Sequence, residues 1–321
     1  MDVDLSPFSD ILEEKKLYSP GPVPQRMVID VSYSHRSIEF KNLYREILRL
    51  LREKYQVPSE YGVVLIQGSA TSAIESVLYS LSHIKFRFLC TGVFGQRAEK
   101  IYTRISERQN TKKVGNGLYY VQFETSKSKY SSLAYNLDDY DLVVADCVSG
   151  FGYYPLPKVN VAITSSAKIL GGLPALGIVI YDEKALSYFK GGIDYLDILK
   201  YIELGVDFQT PHTPMLPQMM SLQKQLEDPI SRKQIETNSN SLVSSKIVFC
   251  GETKSPVLTV CSPGYSSVKD TFREHNIEVY HNSAYMEDQF QVSMYNYRDE
   301  RYYSLLRILL EGIIDENRLS A

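Results

Sequence analysis

No CxxC pair occurs in this chain of 321 residues; its four cysteines stand far apart at Cys90, Cys147, Cys250 and Cys261. That spacing excludes a cysteine-based metal site and argues against a disulfide framework. The four read as reduced thiols, three of them inside apolar, strand-like runs. Nor is there an excess of basic charge, since 35 Lys and Arg face 38 Asp and Glu for a net charge of −3. A surface that follows a phosphate backbone needs the opposite balance, so no nucleic acid is expected as a partner. No apolar run approaches the roughly 20 residues that span a bilayer, and no membrane partner is expected. The opening MDVDLSPFSDILEEKK lacks both the basic start and the apolar stretch of a signal peptide. Together these absences predict a cytoplasmic protein. Tryptophan is missing altogether beside 25 tyrosines; no functional reading follows from that. Internal repeats and low-complexity tracts are also missing.

What remains is an ordinary globular composition, 44% hydrophobic and 23% charged. The length suits two unequal domains. Leu17–Arg26 (LYSPGPVPQR) holds three prolines and a glycine and predicts an extended, irregular lead-in. Apolar spacing predicts a helix over Ile38–Tyr55. Buried-strand runs follow near Val63–Ile66, Phe86–Cys90, Tyr119–Phe123, Leu142–Ala145, Val159–Ile163 and Ala175–Ile180. Most are joined by helical segments such as Ala73–Leu81 and Ala98–Ser106, which implies a mainly parallel sheet covered on both faces. Near Pro214–Leu226 a helix leaves this part, and the rest reads as a small α+β unit. The predicted domains are residues 1–226 and 227–321.

Four local features follow one another. Gly68-Ser69-Ala70-Thr71 lies between the strand VVLIQ and a helix, where backbone N–H groups and hydroxyls favour a phosphate, although Ser and Thr also cap helices for structural reasons alone. Asp146 closes the strand DLVVAD, where open α/β sheets place their ligands; it is equally a residue that starts turns. Lys168 in TSSAKILGG comes 22 residues later, set by a tight turn among small residues, and an exposed loop lysine is the alternative. Phe94 in GVFGQR, at the mouth of the next strand, could cover a flat ring or simply pack. As a set they match one chemistry. A lysine amine forms an imine with an aldehyde, a carboxylate keeps a pyridine nitrogen protonated, a helix N-terminus takes a phosphate and an aromatic stacks on the ring.

With these residues the chain resembles the class V aminotransferases, in particular the alanine–glyoxylate, serine–pyruvate and 2-aminoethylphosphonate branch. The matching stretches are SPGPVPQR (19–26), SHRSIEF (34–40), QGSATSAIESVL (67–78), GVFGQR (92–97), VVADCVSG (143–150), SSAKILGGLPALGIVI (165–180) and TPHTPMLPQMMSL (210–222). The resemblance implies the α/β fold type I of pyridoxal-5'-phosphate (PLP) transferases, with a mainly parallel large domain and a small C-terminal α+β domain. It implies that Lys168 forms the Schiff base with PLP and that Asp146 pairs with the ring nitrogen. Phe94 would stack, Ser69, Ala70 and Thr71 would bind the phosphate, and Ser149 would lie near the ring. Thr213 would reach the phosphate of the neighbouring subunit, making the active unit a homodimer. Gly21 lies in the segment expected near the substrate carboxylate.

Three departures stand out. Ala167 replaces the polar residue usual before the lysine, and Thr210 replaces a frequent tyrosine. Most consequential, FQVSM places Gln291 where the family carries an arginine that clamps the substrate carboxylate, a bidentate contact that a neutral amide does not reproduce. Arg36 or Arg298 could supply the charge instead, though both also read as ordinary surface or helix-entry arginines, and His35 is given no role. The expected activity is transfer of an amino group from a small donor to a 2-oxo acid by ping-pong chemistry. The rivals are another PLP reaction on the same scaffold, a lyase or decarboxylase, and a non-catalytic PLP-binding protein. A desulfurase would want a histidine at Phe94 and a loop cysteine.

Overall fold

Six apolar runs in the middle of the chain pair into one sheet in the computed structural model, which describes residues 5–21, 23–24, 34–131, 137–261, 265–282, 286 and 288–319. The strands are β1 (Gly62–Gln67), β2 (Ile84–Leu89), β3 (Val114–Val121), β4 (Leu142–Asp146), β5 (Val161–Ser165) and β6 (Leu176–Tyr181). Their order across the sheet is β1-β6-β5-β4-β3-β2. The pairs β2/β3, β3/β4 and β4/β5 are parallel, as the alternating pattern predicts. β6 runs antiparallel to both β5 and β1. The ten residues between β5 and β6 explain that reversal, because a parallel return needs a crossover of a dozen or more.

Successive side chains of each strand point to opposite faces, and both faces are apolar. Val63 and Leu65 of β1, Leu118 and Tyr120 of β3, and Val143 and Ala145 of β4 pack with two helices, α1 (Ile38–Tyr55) and α4 (Leu216–Glu227). Val64, Ile66, Tyr119, Val121 and Val144 face the other way, against α2 (Ala70–Ser80) and α3 (Val93–Gln109). Helix α1 has the span its sequence predicts because its signals agree. Ser37 accepts the Phe40 N–H at its start, Phe40, Leu43, Tyr44, Ile47, Leu50 and Leu51 form its buried stripe, and left-handed Gln56 (φ 54°) ends it.

This large unit comprises Gln25–Ser126 and Tyr130–Pro229; the second unit comprises Met1–Pro24, Lys127–Lys129 and Ile230–Ala321. The N-terminal segment thus differs in place from the sequence expectation. Lys16–Leu17 pairs in parallel with Ile277–Glu278, the Tyr18 N–H donates to the Glu278 carbonyl at 2.7 Å, and the Ser293 N–H donates to the Tyr18 carbonyl at 2.7 Å. Backbone pairing across so long a sequence separation leaves no local signature. Much of the proline-rich lead-in beyond Gly21 lies outside the described residues.

Two cysteines also need correction. Cys250 and Cys261 are joined as a disulfide, with Cα atoms 5.9 Å apart. The antiparallel bridge Phe249–Val260 brings them together, with Cys250 N–H on the Thr259 carbonyl and Cys261 N–H on that of Val248. Cys90 and Cys147 are free. Among the described residues, no helix is long and apolar enough to cross a membrane.

Candidate active site

β1 ends at Gln67 and the chain turns through Gly68 into α2. Gly68 has φ +104°, and a Cβ there would lie 2.4 Å from Ser72 Oγ, so the turn needs glycine. Ser69 is the N-cap residue, yet its side chain makes no capping hydrogen bond. The leading N–H groups of α2 are therefore not taken by a side-chain cap, and the positive end of the helix dipole favours an anion there.

Asp146 closes β4 in the middle of the sheet, in register with Val121 on β3 and Ile163 on β5. It is only 4% exposed. The Val148 N–H donates to Oδ1 at 3.0 Å, and the Tyr119 hydroxyl approaches Oδ2 at 3.5 Å. Burial pushes its proton affinity up from the ordinary 3.8 to about 6; Glu124 adds to that, while the Val148 N–H and Lys168 oppose it.

Lys168 opens a short 3-10 turn, Lys168–Leu170, directly after β5, with φ +61°, and Gly171 at φ +74° ends it. This is the tight turn that the small residues around it predict. Burial lowers the lysine from 10.5 to about 8, with Asp146 pulling the other way. The two residues are 22 apart in sequence and come together because β4 and β5 are adjacent parallel strands whose C-terminal ends share one edge of the sheet.

Phe94 lies in the first turn of α3, whereas the sequence placed it at the mouth of a strand. A cavity of about 160 Å³ is lined by Ala70, Thr71, Phe94, Asp146, Ser149 and Lys168, with Arg97 and Val148 beside them. Ser69 sits one residue before this lining as the N-cap. Thr213 is not in it: its side chain is exposed, and its carbonyl accepts from Gln67 Nε2. Arg36 is exposed and donates to Gln209 Oε1. The other three candidates belong to the second unit. Gly21 has open space around its Cα, Arg298 is exposed, and Gln291 is 2% exposed with Nε2 on Thr259 Oγ1 at 3.3 Å.

Sequence reasoning gave no role to Arg97, Val148 or Glu124. Val148 acts through its backbone, which no side-chain pattern reveals. Arg97 follows Phe94 by three residues, so the helical period alone puts both on one face. Glu124, like Asp146, is a carboxylate at the C-terminal side of a central strand, and the same rule could have found it.

No family model matches the chain. Among curated proteins it is 24% identical over 302 residues, 78% of either chain, to the soluble hydrogenase 42 kDa subunit of Anabaena cylindrica. It is 26% identical over 131 residues, 40% of this chain and 35% of the other, to phosphoserine aminotransferase of Bacillus cereus. Among solved structures it resembles a subgroup IV aspartate aminotransferase from Thermus thermophilus, with TM-score 0.80 and 19% identity over 94% of this chain and 99% of that one. The fold is the aminotransferase fold. An alanine–glyoxylate aminotransferase from a Nostoc species shares it as well, with TM-score 0.77 and 18% identity over 98% and 100% of the two chains. Within the aminotransferase fold, the cavity lies where β3, β4 and β5 end and α2 and α3 begin.

Proposed function

We propose that the protein is a class V, PLP-dependent aminotransferase that moves an amino group from a small amino donor to a 2-oxo acid, of the alanine or serine to glyoxylate or pyruvate type. One observation carries the reading: a half-buried lysine and a buried carboxylate line one cavity beside a helix start whose N-cap residue makes no side-chain hydrogen bond.

The residues present fit the coenzyme. The amide groups of Ala70 and Thr71 and the hydroxyls of Ser69 and Thr71 would hold its phosphate. Asp146 would hold the ring nitrogen, Phe94 would cover one face, and Val148 and Ser149 line the cavity nearby. When bound, PLP supplies an aldehyde that captures amines and a ring that accepts the electron pair released at the substrate carbon. Lys168 would carry the link to it at rest. With its proton affinity lowered to about 8, the amine is neutral often enough near neutral pH to act as a nucleophile. The free Lys168 amine would serve as base and then acid, moving one proton at the substrate carbon. Asp146, held by the Val148 N–H, would present negative charge to the ring nitrogen and steady the proton there.

The homodimer is part of the proposal. Thr213 is exposed in the single chain and its carbonyl accepts from Gln67 Nε2, which suits delivery of the hydroxyl to a neighbouring subunit's phosphate. The substrate clamp is not an arginine at 291, where the buried Gln291 amide is engaged by Thr259. The rival lyase, decarboxylase and binding-only readings rest on that one replacement. Cytoplasmic residence is also proposed. A reducing compartment would open the Cys250–Cys261 disulfide to thiols, so alkylation followed by mass spectrometry on protein from intact cells tests it: alkylated thiols support cytoplasmic residence and an intact disulfide counts against it.

The deciding experiment is the visible absorption of the PLP-loaded protein during addition of single amino donors. Bleaching by a donor and recovery with a 2-oxo acid is the expected result. A stable band that no donor bleaches reversibly would move the rival readings ahead.

A further inference from the structure

Two helices begin at the rim of the cavity, and their first turns are treated in opposite ways. The start of α2 has no side-chain cap, whereas that of α3 is closed from a distance. Gly92 precedes α3 and has no side chain to cap with. Instead Glu124, fully buried and 30 residues downstream of Phe94, accepts the N–H of Phe94 at 3.5 Å through Oε1 and that of Gly95 at 3.3 Å through Oε2. Ser126 completes the clasp. Its Oγ accepts the Val93 N–H at 3.1 Å and donates to Glu124 Oε1, and its own N–H donates to the same oxygen at 3.3 Å. The fit is tight enough that a Cβ on Gly92 would lie 2.4 Å from Ser126 Oγ and 2.6 Å from the Glu124 carboxyl carbon. A charge inside the protein is tolerable only when its lone pairs are used in this way.

We propose that Glu124 is a positioning residue for the cavity: it plugs the anion-binding start of α3, leaves that of α2 as the phosphate seat, and fixes Phe94 where the ring must lie. The phosphate seat and the ring position rest on the PLP reading; the plug does not. Glu124 also raises the proton affinity of Asp146 from behind the cavity wall, so its charge reaches the reacting end of the site as well as the helix. Neither oxygen lines the cavity, and Glu124 therefore acts through Phe94 and Asp146.

Glu124→Gln and Glu124→Ala in the full chain separate geometry from charge. Amide hydrogen exchange without PLP reads the plug. Glu124→Ala should speed exchange at Phe94 and Gly95 by about tenfold or more, while Glu124→Gln, which keeps one accepting oxygen in place of two, should restore protection at one of these two N–H groups and not at the other. With PLP added, the midpoint of the visible-band pH titration should move to lower pH in Glu124→Gln, because a nearby negative charge is gone. Unchanged exchange in Glu124→Ala overturns the plug, and if that variant does not fold, unchanged titration in Glu124→Gln overturns the coupling. A parent protein that forms no visible band defeats the PLP reading instead, and the exchange result still decides the role of Glu124.

Discussion

Replacing Asp146 by Asn should make the PLP-free protein more stable while disabling it. The carboxylate is buried, and its proton affinity rises from 3.8 in an unfolded chain to about 6 in the native one. A group whose folded value is raised binds more protons in the native state between those two values. Its ionisation therefore costs stability as pH climbs from about 4 to about 6, and the cost stays constant above. A difference of 2.2 pH units corresponds to about 3 kcal/mol at 1.36 kcal/mol per unit. Asn keeps the shape and an oxygen for the Val148 N–H. The gain is capped because Lys168 loses the partner that raises its proton affinity; the lysine then drops below about 8 and sheds its proton, which limits the loss. Urea unfolding from pH 4 to pH 7.5 checks this. The stability difference between Asp146→Asn and the parent should be small at pH 4, grow through pH 6 and then level off. Turnover with PLP should fall about 10²- to 10³-fold, as for loss of one fixed electrostatic group. A difference of similar size at every pH, or a variant less stable at pH 7.5, would show that burial of this charge is not the cost argued here. Retained turnover would remove Asp146 from the ring nitrogen.

Lys168→Ala should abolish turnover with the far-ultraviolet circular dichroism intact; residual turnover near the parent's would refute its role. The rate at which the protein captures added PLP should rise with pH as Lys168 loses its proton and flatten above about 8, read by stopped-flow absorption; a pH-independent rate would contradict the assignment. Gly68→Ala forces a side chain into a left-handed turn and against Ser72, and should cost about 1–3 kcal/mol in urea unfolding together with weaker PLP binding. Thr213→Ala mixed with Lys168→Ala, after subunit exchange, should recover activity that neither has alone, since one hybrid site then holds both residues; no recovery would count against a shared site.

Much of the large unit was legible because its signals are local. Ser37, the apolar stripe of α1 and the two-residue alternation of the strands each state their own structure. Lys168 and Asp146 were readable as types of residue at types of position, and strand adjacency then did what spacing could not, bringing them into one cavity. Illegible features depend on distant partners. The clasp by Glu124 and Ser126 replaces a local cap, so Gly92-Val93 carries no helix-start signal and the start of α3 was placed too late. The pairing of Cys250 with Cys261 depends on a strand bridge that eleven positions of sequence separation conceal. Gln291, legible as a departure, acquires its meaning only from Thr259 beside it.

The pairing of Lys16–Leu17 with Ile277–Glu278 has a consequence in time. A ribosome adds roughly 5–20 residues per second, so the partner of this strand emerges tens of seconds after the strand itself. For that interval Lys16, whose ammonium in the finished unit is buried and donates to the carbonyls of Leu12 and Glu14, remains hydrated. The large unit can collapse meanwhile from contiguous stretches of chain. The smaller one is therefore the last part of the nascent protein to resist proteolysis, and a chain halted before residue 277 carries an N-terminal strand with nothing to pair against.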